Sequence, residues 1–182
     1  MTRIVRWTEW SGTGLQHVHV HEGDDGVLLR GVAISGDNEP VSRAYRFVID
    51  LDRDWHVLRA EIECVDDGRS VVLNADGRGS WSDGEGIALP TLAGAIDIDL
   101  AFSPITNTLP IRRLDLQPGE AADIVTAYIA PDLSLSADPQ RYTCIERARL
   151  YRYDSRDSDF TAEIEVDGDG LVVLYPGLFR RS

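Results

Sequence analysis

Two carboxylates, Asp97 and Asp99, stand one residue apart in an alternating stretch, Ile96-Asp97-Ile98-Asp99-Leu100. On a strand they share a face, with Cβ atoms about 7 Å apart. Such a pair can divide general-acid and general-base roles, and the spacing falls in the range of a glycosidase pair. Two acids on the wet face of an amphipathic strand are also what an acidic chain displays, and Arg112 or Arg113 could pair with them. His17, His19 and His21 form a second constellation, alternating with Val18 and Val20 so that three imidazoles leave one strand face. They are weak metal candidates, because a zinc site needs a further ligand from elsewhere; the plainer reading is a solvated face with valines packed behind it. There is no G-x-S-x-G elbow, P-loop, Rossmann glycine pattern or C-x-x-C, so no cofactor and no covalent nucleophile are expected.

The segment Ser103 to Leu116, S-P-I-T-N-T-L-P-I-R-R-L-D-L, combines two prolines with short polar side chains. The prolines fix φ and remove two backbone donors. Thr106, Asn107 and Thr108 offer groups that satisfy turns locally. The pattern after Pro110 predicts a strand whose polar side carries Arg112 and Asp115. A rigid polar loop feeding an arginine onto a strand suits either ligand recognition or a structural corner.

The elements that position these residues read as strands. Tyr45, Phe47, Ile49 and Leu51 alternate with polar residues, as do Leu58, Ala60, Ile62 and Cys64, then Ile96, Ile98, Leu100 and Phe102, then Phe160, Ala162, Ile164 and Val166. Each run has period two and one wet face. Arg147 and Arg149 break the alternation around Tyr151 and Tyr153, which implies either β-bulges or an amphipathic enclosed face. Turn signals recur at Gly23-Asp24-Asp25-Gly26, Gly36-Asp37-Asn38, Asp66-Asp67-Gly68, Asp76-Gly77, Ser82-Asp83-Gly84 and Asp167-Gly168-Asp169-Gly170. Many short strands joined this way predict an all-β fold: one antiparallel curved sheet, closed or rolled, with little or no helix. The Gly-rich loop from Gly84 to Gly94 is its best interruption.

Composition bounds the rest. A chain of 182 residues, 43% hydrophobic and 27% charged, fits a single domain spanning 1–182. A net charge of −13 argues against nucleic acid as partner. All 18 basic residues are arginine. No stretch reaches transmembrane or signal-peptide length, so a cytoplasmic location is expected. Cys64 and Cys144 then read as thiols. The oligomeric state is left open. The tryptophans and tyrosines, Trp55, Trp81, Tyr142 and Tyr175 among them, suit a core, but beside arginines they also suit the lining of a sugar or lipid-head site.

These segments together resemble the glycolipid-binding family of bacterial proteins. The likeness rests on Tyr45, Asp50 and Trp55; on Gly79 to Trp81; on Asp97 to Leu100 and Pro104; on Thr106 to Leu114; on Gln140 and Tyr142; and on Gly170 to Val172 with Tyr175 to Arg180. The resemblance implies a spiral β-roll and a non-catalytic role in holding an amphiphile. The expected ligand is a glycolipid or another amphiphile, its tails in a cavity of the roll. Its head would meet residues drawn from Thr106, Asn107, Arg112, Arg113, Asp97, Asp99, Trp55, Trp81, Tyr142 and Tyr175. Two other readings stay open: a hydrolase of a sugar or lipid ester using Asp97 and Asp99, and a structural or interaction module with a packed interior.

Overall fold

The computed structural model describes residues 1–10, 12–36 and 42–182; Asp37 and Asn38 of the expected Gly36 turn lie outside them. Among the described residues fourteen strands form one sheet: β1 (Thr2–Glu9), β2 (Leu15–Glu22), β3 (Val27–Ile34), β4 (Ala44–Leu51), β5 (Val57–Cys64), β6 (Ser70–Ala75), β7 (Trp81–Asp83), β8 (Asp97–Leu100), β9 (Ala121–Ile129), β10 (Leu135–Glu146), β11 (Leu150–Ser155), β12 (Thr161–Val166), β13 (Val172–Tyr175) and β14 (Phe179–Arg181). The spatial order is β7-β6-β5-β4-β3-β2-β1-β14-β13-β12-β11-β10-β9-β8. The chain thus starts in mid-sheet, meanders outward to β7, crosses to the far edge at β8, and returns so that β14 pairs with β1.

Each neighbouring pair is antiparallel except β8 with β9, which run parallel. Parallel neighbours need a crossover of a dozen or more residues, and residues 101–120 supply it. They hold a 3₁₀ turn, Pro104–Asn107, and the helix α1, Thr108–Leu114. The strand expected after Pro110 is therefore a helix. Pro104 opens the 3₁₀ turn, and Pro110 sits in the first turn of α1, where a missing N–H costs no intrahelical bond. Asp115 ends the helix in a left-handed conformation, φ 43°.

This crossover fills the middle of the roll. Gln16 of β2 accepts a hydrogen bond from Ser103 Oγ (2.7 Å) and donates to the Phe102 carbonyl (2.6 Å). Tyr45 of β4 stacks on Phe102, centroids 3.9 Å apart, and Tyr142 of β10 meets Asn107. Strands so far apart in the order can face one insert only if the sheet curls around it. Ile105 and Leu109 are fully buried there. Side chains of the insert thus take up part of the interior in which a cavity for acyl tails is expected.

The strand faces follow the alternation where the register is regular. Tyr45, Phe47, Ile49 and Leu51 are all buried. A register shift between Asp50 and Leu51 puts Val57 rather than Leu58 in the core, so Leu58 is exposed. A bulge between Cys144 and Glu146 explains Arg147 and Arg149, which lie in the β10–β11 connection. Cys64 and Cys144 are buried free thiols.

Among the described residues the two sheet edges do not pair into a barrel, but the loop between them sews them together. Trp81 Nε1 donates to the Ala95 carbonyl (2.7 Å), and the Gly94 N–H to that of Gly79 (2.8 Å). Gly79 needs its left-handed φ of 99°, and a Cβ there would lie 3.0 Å from Gly94 Cα. Trp81 is buried, with its indole N–H taken up by this seam.

Candidate functional site

The wet face expected for β8 is corrected by the roll. Ile98 and Leu100 join the apolar core, while Asp97 and Asp99 face the crossover, and Asp97 is fully buried. Arg113 of α1 takes both Asp97 oxygens, Nε to Oδ1 at 3.0 Å and Nη2 to Oδ2 at 2.6 Å. Burial pushes the Asp97 carboxyl up, against the pull of this guanidinium. With both oxygens held by arginine, Asp97 is poorly placed to exchange protons with a substrate.

Asp99 is held differently. Thr106 Oγ1 donates to Oδ1 (3.1 Å) and Gln140 Nε2 to Oδ2 (2.8 Å), and the same Gln140 amide reaches Asp138 Oδ2 at 2.6 Å. Both donors are neutral. Burial raises the Asp99 carboxyl to about 6, with the Asp138 and Asp97 charges adding to the rise.

Asp99 opens onto a cleft of about 170 Å³ lined also by Ser103, Asn107, Tyr128, Tyr153, Phe160 and Tyr175. Cross-strand pairing places Tyr128 opposite Asp99. Tyr153, Phe160 and Tyr175 form a triangle of rings with centroids 5.9, 6.3 and 6.3 Å apart. Tyr142 meets Tyr153 edge-on at 5.5 Å, and its hydroxyl accepts from Asn107 Nδ2 at 2.8 Å. Burial and then the Asp99 charge push the phenols of Tyr128, Tyr142 and Tyr153 up, so they stay protonated hydrogen-bonding groups. Phe160 and Leu178, also at the cleft, are 43% and 38% exposed and give its opening an apolar rim. Aromatic walls, fixed hydrogen-bonding groups and an apolar rim can hold a ring bearing hydroxyls whose substituent continues into an apolar chain.

The structure therefore brings Asp99, Thr106, Asn107, Tyr142 and Tyr175 together around one cleft and its supporting bonds. It separates the rest. The Arg112 guanidinium lies over the Trp55 ring at 4.8 Å and bonds Glu22 and the Asp169 carbonyl. Trp55 is buried with φ 68°, a costly conformation for a residue with a side chain, and the stacked arginine covers it. Arg113 and Asp97 form their ion pair. Arg113 also lines a second cleft of about 430 Å³ with Ile96, Leu114, Ile124 and Val125. His17 and His19 touch through their Nε2 atoms at 3.0 Å, while His21 Nδ1 meets the Thr2 hydroxyl at 2.7 Å. The grouping of possible metal ligands among the described residues is instead Asp52, Asp54 and His56. There Asp52 accepts from the backbone N–H of Asp54 and of His56, which is the bonding of a turn.

Sequence reasoning does not single out Tyr128, Asp138 or Phe160, which approach Asp99 only through pairing across the roll. The one available signal is polar Thr126 and Tyr128 alternating with apolar neighbours on β9.

A family model described as "Putative glycolipid-binding" matches residues 4–181. Among solved structures, a DUF1089 family protein from Pseudomonas aeruginosa is similar: 38% identical, TM-score 0.80, covering 93% of this chain and 92% of its own. No curated protein matches the chain.

Proposed function

This chain belongs to that glycolipid-binding family, and from this premise we propose that it binds the head of a glycolipid in the tyrosine cleft beside Asp99. The observation that carries the reading is the cleft itself. Tyr153, Phe160 and Tyr175 supply aromatic surface for the apolar face of a sugar ring, and Asp99 and Asn107 supply hydrogen-bonding groups for its hydroxyls. At about 170 Å³ the cleft suits a head rather than a whole lipid. The tail would leave over Phe160 and Leu178, where each methylene removed from water contributes about 0.8 kcal/mol.

Titration with n-octyl β-glucoside and n-octyl β-galactoside below their micelle concentrations tests this by calorimetry. Saturable binding that weakens when Tyr153 is replaced by leucine supports the reading; no uptake of any alkyl glycoside removes it. A hydrolytic second reading draws on Asp99 alone, a raised carboxyl in a cleft. Turnover of nitrophenyl glycosides or esters, lost in Asp99→Asn, would favour it. The cytoplasmic location belongs to the same proposal and is supported by the two free cysteines; cell fractionation tests it. No helix among the described residues is long and apolar enough to cross a membrane.

A further inference from the structure

The cleft carries a charge that its own lining leaves unanswered. None of its lining residues is basic, and the two donors to Asp99 are a hydroxyl and an amide. Among the described residues neither Asp99 nor Asp138 enters an ion pair, whereas Asp97, on the same strand, is fully matched by Arg113. Arginines are not scarce; they bind carboxylates at many other places on the molecule. Beside the unmatched carboxylate stand three mutually tilted rings, Tyr153, Phe160 and Tyr175, inclined at 39–59°. Ring faces are the negative ends of aromatic quadrupoles and attract cations within about 6 Å. Hydroxyls could occupy the hydrogen-bonding capacity of Asp99, but they would leave its charge buried. An ammonium supplies both donors and the opposite charge.

We propose that the cleft selects an ammonium group on its ligand, held between the Asp99 carboxylate and the rings of Tyr153, Phe160 and Tyr175. The inference rests on the glycolipid reading above and makes the head an amino sugar. An amino-alcohol phospholipid head presents the same chemistry and is separated from it by the experiment.

Calorimetry at pH 7 with four probes decides the matter: n-octyl β-glucosaminide, n-octyl β-glucoside, n-octylphosphocholine and tetramethylammonium. The expected result is glucosaminide binding on the order of tenfold tighter than glucoside, with that preference lost in Asp99→Asn. Tyr153→Leu should reduce the preference as well, and decides the question if the Asp99 variant does not fold. Tetramethylammonium, whose own charge does not titrate, should bind more weakly as pH falls from 7 to 5. The groups facing Asp99 are Asp97, Asp138, Tyr128, Tyr142, Tyr153 and Tyr175, and the phenols stay protonated throughout that range. Equal affinity for glucoside and glucosaminide, unchanged by Asp99→Asn and weakened equally for both by Tyr153→Leu, overturns the ammonium inference and leaves the glycolipid reading standing. Binding of octylphosphocholine and tetramethylammonium without either glycoside keeps the ammonium and overturns the sugar. Binding of none overturns both.

Discussion

Replacing Asp99 with asparagine should make the protein more stable at neutral and alkaline pH. The carboxyl is raised from 3.8 to about 6 by burial. A tenfold change in proton affinity corresponds to about 1.4 kcal/mol, so ionised Asp99 costs the folded state about 3 kcal/mol above pH 6. The sign follows from proton uptake. Between pH 3.8 and about 6 the folded protein binds the proton more tightly than the unfolded chain, so stability falls as pH rises through this window. Below it, the penalty is absent. Asparagine removes the charge and keeps the local bonding, because its carbonyl accepts from Gln140 while its amide donates to Thr106, whose hydroxyl also reaches the Ser103 carbonyl at 3.1 Å. Allowing for the lost charge assistance in those bonds, the expected net gain is about 1–3 kcal/mol at pH 8, a rise of several degrees in Tm. Urea unfolding of both proteins from pH 4 to pH 8 measures it. The two should have nearly equal stability at pH 4, diverge through pH 6, and keep a constant gap above pH 7. A variant less stable than wild type at pH 8 would refute the reasoning, since Gln140 and Thr106 would then be stabilising the carboxylate fully. A stability gain coupled to lost ammonium binding is what a strained binding group produces.

Three further substitutions test the scaffold around the cleft. Arg113→Met leaves Asp97 buried without its partner and should cost about 3–5 kcal/mol in urea unfolding, with much of that restored by Asp97→Asn in the same chain. Tyr142→Phe deletes the acceptor for Asn107 and should cost about 1–2 kcal/mol. Adding Asn107→Ala to it should cost less than Asn107→Ala alone, a coupling that a double-mutant cycle reads directly. Trp81→Phe removes the bond to the Ala95 carbonyl and should speed hydrogen exchange at the Gly94 amide of the seam, while the amides of β1 and β14 keep their protection.

Regular strands in this chain declare themselves, because one buried face writes period two into the residues. Tyr45 to Leu51 is the clear example, and Asp-Gly turns mark the β2–β3, β5–β6, β6–β7 and β12–β13 reversals. Leu58 misleads because the register shift between β4 and β5 resets which residue faces inward, and nothing local encodes that. The helix α1 is invisible for a related reason. Thr108, Leu109, Pro110 and Ile111 are all buried, so its first turn has no polar face, and seven residues are too few to show a 3.6 period. Its necessity comes from topology, from the parallel pairing of β8 with β9. Asp97 and Asp99 read as surface acids because alternation reports one covered face, whereas the rolled edge is covered on both. Asn107, Thr106, Tyr142 and Tyr175 are recognisable as candidates by residue type and by family likeness. Tyr128 and Phe160 depend on strand pairing across long separations, and no spacing in the sequence carries that information.

A crystal structure of the protein with bound n-octyl β-glucosaminide tests the central claim most directly. The expected result is the sugar ring against Tyr153 and Tyr175, its amine within hydrogen-bond distance of Asp99, and the alkyl chain running past Phe160 and Leu178. A head group seated in the Arg113 cleft, or against Trp55 and Arg112, with the tyrosine cleft unoccupied, would contradict it.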